Sequence, residues 1–84
     1  MQDMSLKDAL DYFNSTAFLP VIKDAYRNFK INYDNCATII QKWDNNMLDT
    51  TPTHERHYYD ERLMELRIYL VTIKDIAYKH GITL

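Results

Sequence analysis

Two long stretches of the chain place apolar side chains at alternating intervals of four and three residues. This spacing keeps one side of an α-helix turned toward a neighbouring helix, as in coiled coils. In the first stretch the apolar positions are Ile22, Tyr26, Phe29, Tyr33, Cys36, Ile40, Trp43 and Met47. In the second they are Tyr59, Leu63, Leu66, Leu70, Ile73 and Ala77, extended by His80. The pattern predicts two long helices that pack against each other along these positions.

The start of the chain predicts a short helix before the two long ones. Ser5 can cap a first helix over about residues 5–14, since its hydroxyl can accept a hydrogen bond from an N–H of the first turn. Pro20 suits the first turn of a second helix over about residues 20–47, where a missing N–H leaves no bond unmade.

The third helix is expected over about residues 52–80. Thr51 or Thr53 would cap its start, and Gly81, the only glycine, suits the left-handed position that follows a helix end. No linker, repeat or low-complexity segment interrupts the chain, so we expect a single helical domain over residues 1–84.

The segment between the two long helices is too short for any arrangement other than an antiparallel helical hairpin. Folding the chain there places Trp43 beside Tyr59 and Phe29 beside Ile73. The third helix also carries a second apolar stripe, on a different side from the first. Its members are Met64, Ile68, Val71 and Tyr78. Because two apolar sides need two partners, we expect hairpins to pair as a homodimer with a four-helix-bundle core.

Composition and charge narrow the classes of function. The 84 residues have a net charge of −2 and one cysteine, and no apolar run is long enough to span a bilayer. The charge does not favour nucleic acid, and a single thiol fits a reducing compartment. We therefore expect a cytoplasmic protein without a membrane partner.

Possible metal ligands occur where the third helix is expected to begin. His54, His57 and Glu61 would share one face of that helix if it started before them. Their spacing is neither the His-Glu-x-x-His of zinc proteases nor the Glu-x-x-His of di-iron bundles. We read them as the solvated first turn of a helix, and we predict no metal and no other cofactor.

Catalytic chemistry has little support in the sequence. Cys36 lies in the middle of a helix among apolar residues, and burial there makes a thiol unreactive. One glycine and two prolines leave few loops in which a catalytic pocket could form. We predict that the protein is not an enzyme.

A basic stripe on the second helix offers one alternative function. Lys23, Arg27 and Lys30 follow helical spacing and could contact phosphates, which would make the protein a nucleic-acid-binding bundle. Asp24 and Asp34 lie next to this stripe, however, so an ordinary solvated face is the simpler interpretation.

Two further sets of residues are not explained by helix packing. Tyr58 and Tyr69 lie outside the first apolar pattern, and tyrosine is enriched at protein interfaces. Asn28, Asn32 and Asn35 form a stripe of poor helix formers on the second helix. We predict that these five residues contact another protein, although the asparagines could also simply face solvent.

These observations favour a small protein-interaction or regulatory module over an enzyme. Its working part would be a rigid helical surface, as in inhibitors, antitoxins, immunity proteins or phage-encoded modulators. That final step rests on size and fold class, because no catalytic or binding motif is present.

Overall fold

Residues 5–84 are described by a computed structural model, and they form an all-helical protein without β-strands. The helices are α1 (Leu6–Phe13), a 3₁₀ helix (Thr16–Val21), α2 (Ile22–Asp44) and α3 (Arg56–Lys79). The predicted all-α class, with a short first helix followed by long helices, is confirmed.

Helix α1 begins as the sequence predicted. The Asp8 N–H donates to the Ser5 hydroxyl oxygen at 3.2 Å, so Ser5 is the N-cap. At the other end the Asn14 side chain donates to the Leu10 carbonyl at 2.8 Å and stops the helix. The predicted range of 5–14 is therefore correct to within one residue at each end.

Helix α2 is shorter than predicted at both ends. Pro20 belongs to the 3₁₀ helix rather than to the first turn of α2. Met47 lies beyond the end of α2 at Asp44 and is largely exposed, so its assignment to the packed face was wrong. The cause is Asn46, whose φ of 56° is left-handed and turns the chain out of the helix.

Helix α3 begins later than predicted. Glu55 occupies the N-cap position without a side-chain cap, so the expected caps Thr51 and Thr53 are wrong. The Thr53 hydroxyl instead lies 3.5 Å from the Tyr59 hydroxyl. The first turn is held by Arg56, whose guanidinium reaches back to the end of α2.

Both long helices end in the same hydrogen-bonded turn, the Schellman motif. After α3, the Ile82 N–H donates to the Ala77 carbonyl at 2.8 Å, and Gly81 has a φ of 67°. After α2, the Met47 N–H donates to the Lys42 carbonyl at 2.7 Å, with Asn46 in the left-handed position. The prediction for Gly81 is confirmed.

The core lies at one end of the α2–α3 pair, where α1 and the 3₁₀ helix cover it. Its buried members are Ala9, Phe13, Phe18, Ile22, Leu66, Tyr69, Ile73, Ile76 and Ala77. Most of them belong to α3, and Ile22 is the only fully buried residue of α2. The remaining predicted packing residues of α2, from Tyr26 to Trp43, are only partly buried because α1 is too short to cover them.

Helices α2 and α3 contact each other along their length. The rings of Trp43 and Tyr59 lie 6.5 Å apart, which is the predicted neighbour relation. Phe29 lies 5.3 Å from Tyr69, one helical turn from the predicted Ile73. No helix among the described residues combines the length and apolarity needed to cross a membrane.

Candidate partner-binding groove

An open groove of about 490 Å³ lies where α1, the 3₁₀ helix, α2 and α3 meet. We call it the aromatic groove, because aromatic rings make up most of its larger side chains. It is lined by Ala9, Tyr12, Phe13, Phe18, Val21, Ala25, Phe29, Tyr58, Arg62, Glu65 and Tyr69. Its volume is in the range of sites that take a ligand or a few side chains of a partner.

The floor of the groove is organised around Phe13, the last residue of α1. Its ring centroid lies 4.8 Å from that of Phe18, 5.8 Å from Phe29 and 5.4 Å from Tyr69. Two of these three pairs, with Phe29 and with Tyr69, are edge-to-face, which is a favourable geometry for aromatic rings. The cluster therefore joins all four helical elements at the floor of the groove.

One wall of the groove is polar and belongs to α3. The Tyr69 hydroxyl donates to Glu65 Oε1 at 2.6 Å, and Arg62 Nη1 donates to the same oxygen at 2.8 Å. Burial, reinforced by the bond to Glu65, raises the pKa of Tyr69 to about 12. The wall thus offers a guanidinium and a carboxylate beside an apolar floor.

Two tyrosines form the rim of the groove. Tyr12 of α1 and Tyr58 of α3 are 40% and 41% exposed, so each can contact a bound molecule without rearrangement. Tyr58 is held in place by stacking on His54 at 3.9 Å and by an edge contact with Tyr59 at 5.3 Å. The predicted partner residue Tyr58 therefore lies at an accessible position, and its role remains a prediction.

Tyr69 is not the exposed residue that the sequence analysis expected. It is 4% exposed and belongs to the core, with its ring between Phe13 and Phe29. Tyr69 is therefore not freely exposed, although it lines the groove, and its contact with a partner stays a prediction. Tyr69 is buried because Phe13, the last residue of the short α1, covers the side of α3 that carries Tyr69. The hairpin pattern alone gave that side of α3 no neighbour.

The three asparagines of α2 are exposed along the helix. Asn28 follows Ala25 by three residues and Asn32 follows Phe29 by three, so both border the α2 residues of the groove. Asn35 continues the same stripe toward the end of α2. Helical spacing thus places Asn28 and Asn32 beside the α2 residues of the groove, whose α3 side includes Tyr58.

Two of the three cations in the basic stripe of α2 are paired with neighbouring acids. Arg27 pairs with Asp24, and Lys30 Nζ lies 3.0 Å from an Asp34 carboxylate oxygen. The bond to Asp34 raises the pKa of Lys30. Arg27 and Lys30 therefore present ion pairs to the solvent, and Lys23 is the third, exposed member of the stripe.

The residues considered as metal ligands do not form a site. His54 precedes the start of α3 at Arg56, so it does not share a helical face with His57 and Glu61. His57 Nδ1 lies 3.2 Å from the Glu55 carboxylate. Within residues 5–84, no three histidine, cysteine, aspartate or glutamate side chains come together as metal ligands would.

Cys36 is half-buried on the α3-facing side of α2. Burial raises the pKa of its thiol, and the nearby charge of Arg62 opposes this effect only in part. A raised pKa lowers the thiolate fraction, so this thiol is a poor nucleophile. The ionisable side chains that line the groove are Arg62, Glu65 and the tyrosines Tyr12, Tyr58 and Tyr69.

Sequence reasoning missed most of the groove. Arg62, Glu65 and Tyr69 follow spacings of three and four residues, which marks a line along α3 that the apolar pattern passed over. The contacts of Phe13 with Phe18 and Phe29 require the bend between α1 and α2. No pattern in the sequence predicted that bend.

The outer face of α3 is the second apolar surface. Met64 is 67% exposed, Val71 62% and Tyr78 86%, and Ile68 lies between them. The prediction that α3 has an apolar stripe away from its packed face is confirmed. This stripe is separate from the aromatic groove, since none of its members lines the groove.

Comparison with known proteins returned no relative for this chain. No protein-family model matches it, and searches of curated proteins and of solved structures returned no significant match. Its function is therefore argued from the groove and from the surfaces described above.

Proposed function

We propose that this chain is a small, non-enzymatic protein-interaction module that regulates a partner through its rigid helical surface. The observation that carries the proposal is the aromatic groove, a preformed concave site with two accessible tyrosines at its rim. Tyrosines on a rigid frame supply contact area at little entropic cost, which is why they concentrate at protein interfaces.

The frame that we propose is an antiparallel helical hairpin of α2 and α3. Three contacts support it. The end of α2 meets the start of α3 at Trp43–Tyr59 and at Asp44–Arg56, and the start of α2 meets the end of α3 where Lys74 lies 5.9 Å from the Tyr26 ring. A single reduced Cys36 is compatible with action in the cytoplasm.

We further propose that the chain forms a homodimer through the outer face of α3. An apolar stripe of Met64, Ile68, Val71 and Tyr78 covers roughly 21 Å of helix, and all four side chains are exposed in the part of the chain that the structure describes. A four-helix-bundle core would bury it. Light scattering at tens of micromolar should show a dimer that Val71→Lys converts to a monomer; a monomeric parent protein would refute this part.

The alternative function, nucleic-acid binding through Lys23, Arg27 and Lys30, has weaker support. Two of the three cations are already paired with aspartates of their own helix. Fluorescence anisotropy with duplex DNA and with RNA at low salt tests this alternative, and we expect no saturable binding.

The decisive experiment places a photo-crosslinking side chain at the groove in cells that express the protein. A benzophenone side chain at Tyr58 should capture one defined protein, whereas the same group at the exposed α2 residue Thr38 should not. The captured protein is then purified and titrated with the parent chain and with Tyr58→Ala. We expect a one-to-one complex that Tyr58→Ala weakens at least about tenfold, since truncation of an anchor residue costs about 2 kcal/mol or more.

Two results would overturn the proposal. One is equal crosslinking at Tyr58 and Thr38, which would mean that partners contact the groove no more than the rest of the surface. The other is a purified candidate partner that binds neither the parent chain nor the variant.

A further inference from the structure

We infer that the aromatic groove receives an amphipathic helix of the partner, with a basic flank along α3 and an uncharged polar flank along α2. This inference rests on the proposed function and adds the chemistry of the partner. It is carried by the shape of the groove, by its continuity with the site of α1 and by the distribution of charge at its edges.

The residues that line the groove are spread over several turns of α3. The α3 wall of the groove extends from Tyr58 to Tyr69, which corresponds to roughly 16 Å of helix. A helix of about three turns spans that length, so its apolar stripe could place two or three side chains on the aromatic floor. A compact small molecule would leave part of this length empty.

The groove continues a surface that already accepts a helix. Helix α1 buries Ala9 and Phe13 against the other helices, and the same two residues also line the groove. Because α1 has eight residues and α3 has twenty-four, most of α3 extends beyond the part that α1 covers. A second helix lying beside α1 would contact the same kind of surface that α1 itself uses.

Acidic side chains dominate the α1 and α3 edges of the groove. Glu65 lines it, Glu61 lies four residues before Glu65, and Asp8 lies four residues before Tyr12 on α1. Against these three carboxylates stands one cation, Arg62, which already donates to Glu65. A partner helix with lysine or arginine on this flank gains electrostatic complementarity.

The α2 edge carries no net charge, since Asp24, four residues before Asn28, is paired with Arg27. Asn28 and Asn32 border the groove there, and both are exposed. The asparagine amides can donate hydrogen bonds to acceptors on the partner helix and accept them from its donors. They carry no net charge, so they do not favour a charged flank. The two flanks of the bound helix are therefore expected to differ, which also fixes its direction in the groove.

Two synthetic peptides test the inference. Each has about 18 residues, enough for measurable helicity, with leucines along one stripe. One carries lysine on the flank that faces α3, and the other carries glutamate at the same positions. At about 0.15 M salt, where charges beyond roughly 8 Å are screened, we expect the lysine peptide to bind one-to-one with a Kd at least tenfold lower.

Matched variants locate the binding. Glu61→Lys should weaken the lysine peptide about tenfold and narrow the difference between the two peptides. Asp11→Lys makes the same charge change at an exposed α1 residue that does not line the groove, and it should leave both affinities unchanged. Tyr58→Ala should weaken both peptides, because it removes apolar contact and not charge. Circular dichroism verifies that each variant keeps its helices.

Several outcomes would overturn the inference. Equal affinities of the lysine and glutamate peptides would show that the charge of the flank does not matter. Equal effects of Glu61→Lys and Asp11→Lys would show that the peptides do not bind beside Glu61. Peptide binding abolished by Val71→Lys and not by Tyr58→Ala would place the site on the outer face of α3. If neither peptide binds while the crosslinked partner still does, the helix inference fails and the interaction module stands.

Discussion

Arg56 bridges the end of α2 and the start of α3 by donating to both carboxylate oxygens of Asp44. Its Nε and Nη2 lie 2.8 Å from the two oxygens, which is the paired geometry that makes arginine–carboxylate bonds specific. Arg56 also donates to Asp60 within α3. One side chain therefore connects the two helices across the irregular segment between them.

The Asp44–Arg56 pair predicts an acid-sensitive contribution to stability. The Arg56 guanidinium lowers the pKa of Asp44, so the pair stabilises the fold above the ordinary aspartate pKa of about 4 and loses this effect as pH falls through the lowered value. Asp44→Asn should lower the Tm at pH 7 and leave it nearly unchanged in strong acid. Thermal unfolding, monitored by circular dichroism at pH values between these two conditions, measures the difference in Tm between the variant and the parent.

Asp49→Asn is the matched control for that prediction. Asp49 is highly exposed and lies 3.9 Å from Lys42, so its removal should change the Tm little at any pH. A Tm of Asp44→Asn equal to that of the parent at pH 7 would show that the bridge contributes nothing to stability.

Tyr69 should reveal its buried hydroxyl in an alkaline titration. Its pKa is raised to about 12, so its protonated form stabilises the fold below the ordinary pKa of about 10, and this contribution is lost as pH rises through the folded value. Tyr69→Phe should destabilise the protein by about 1 kcal/mol at pH 7, the net value of one hydrogen bond. Urea unfolding and tyrosinate absorbance measure the two effects.

Tyr78→Phe controls for the removal of a tyrosine hydroxyl. Tyr78 is the most exposed tyrosine, so this variant should keep the parent stability and retain the late-titrating tyrosine. If Tyr69→Phe also retains that late titration step, the raised pKa belongs to another residue.

Two isoleucines of α3 separate the core from the outer face. Ile73 is 0% exposed, and Ile73→Ala should destabilise the protein by about 2–5 kcal/mol through lost burial and a residual cavity. Ile68 is 40% exposed, and Ile68→Ala should change the stability of the monomer by less than about 1 kcal/mol. Urea unfolding at low protein concentration compares them, and similar losses would contradict the position of the core.

Gly81 and Asn46 both have a left-handed backbone conformation, which glycine tolerates better than other residues. Replacing Gly81 should therefore lower the stability of the protein, and replacing Asn46 by glycine should raise it. Nothing lies within 4 Å of a Cβ added at Gly81, so Gly81→Ala tests backbone strain alone and should destabilise the protein by about 1 kcal/mol. Asn46→Gly relieves strain at a φ of 56° and should raise stability by up to about 1 kcal/mol. Thermal unfolding measures both; a neutral Gly81→Ala would argue against the left-handed turn.

Local signals predicted the helices well where they were strong. Ser5 and Gly81 mark their helix ends because each one satisfies or permits a specific hydrogen-bonded turn of its own neighbours. Thr51 and Thr53 failed as caps because the choice among several capping residues depends on distant contacts. Here α3 begins at Arg56, which donates to Asp44, twelve residues earlier.

The site was harder to predict than the helices. Tyr58 was singled out and lies at the rim, whereas Tyr69 was singled out and is buried. The two tyrosines are alike in sequence, since both lie outside the first apolar pattern. What separates them is the position of α1, which covers Tyr69 with Phe13 and leaves Tyr58 uncovered.

The sequence by itself determined which segments are helical and which side of each helix is apolar, because those properties follow from the spacing of residues only three or four apart. The tertiary structure alone decided which apolar residues are buried and where a groove remains. That outcome depends on the angle at which the short α1 and the 3₁₀ helix meet the α2–α3 pair. Such an angle is set by packing among residues far apart in the chain, and no local pattern encodes it.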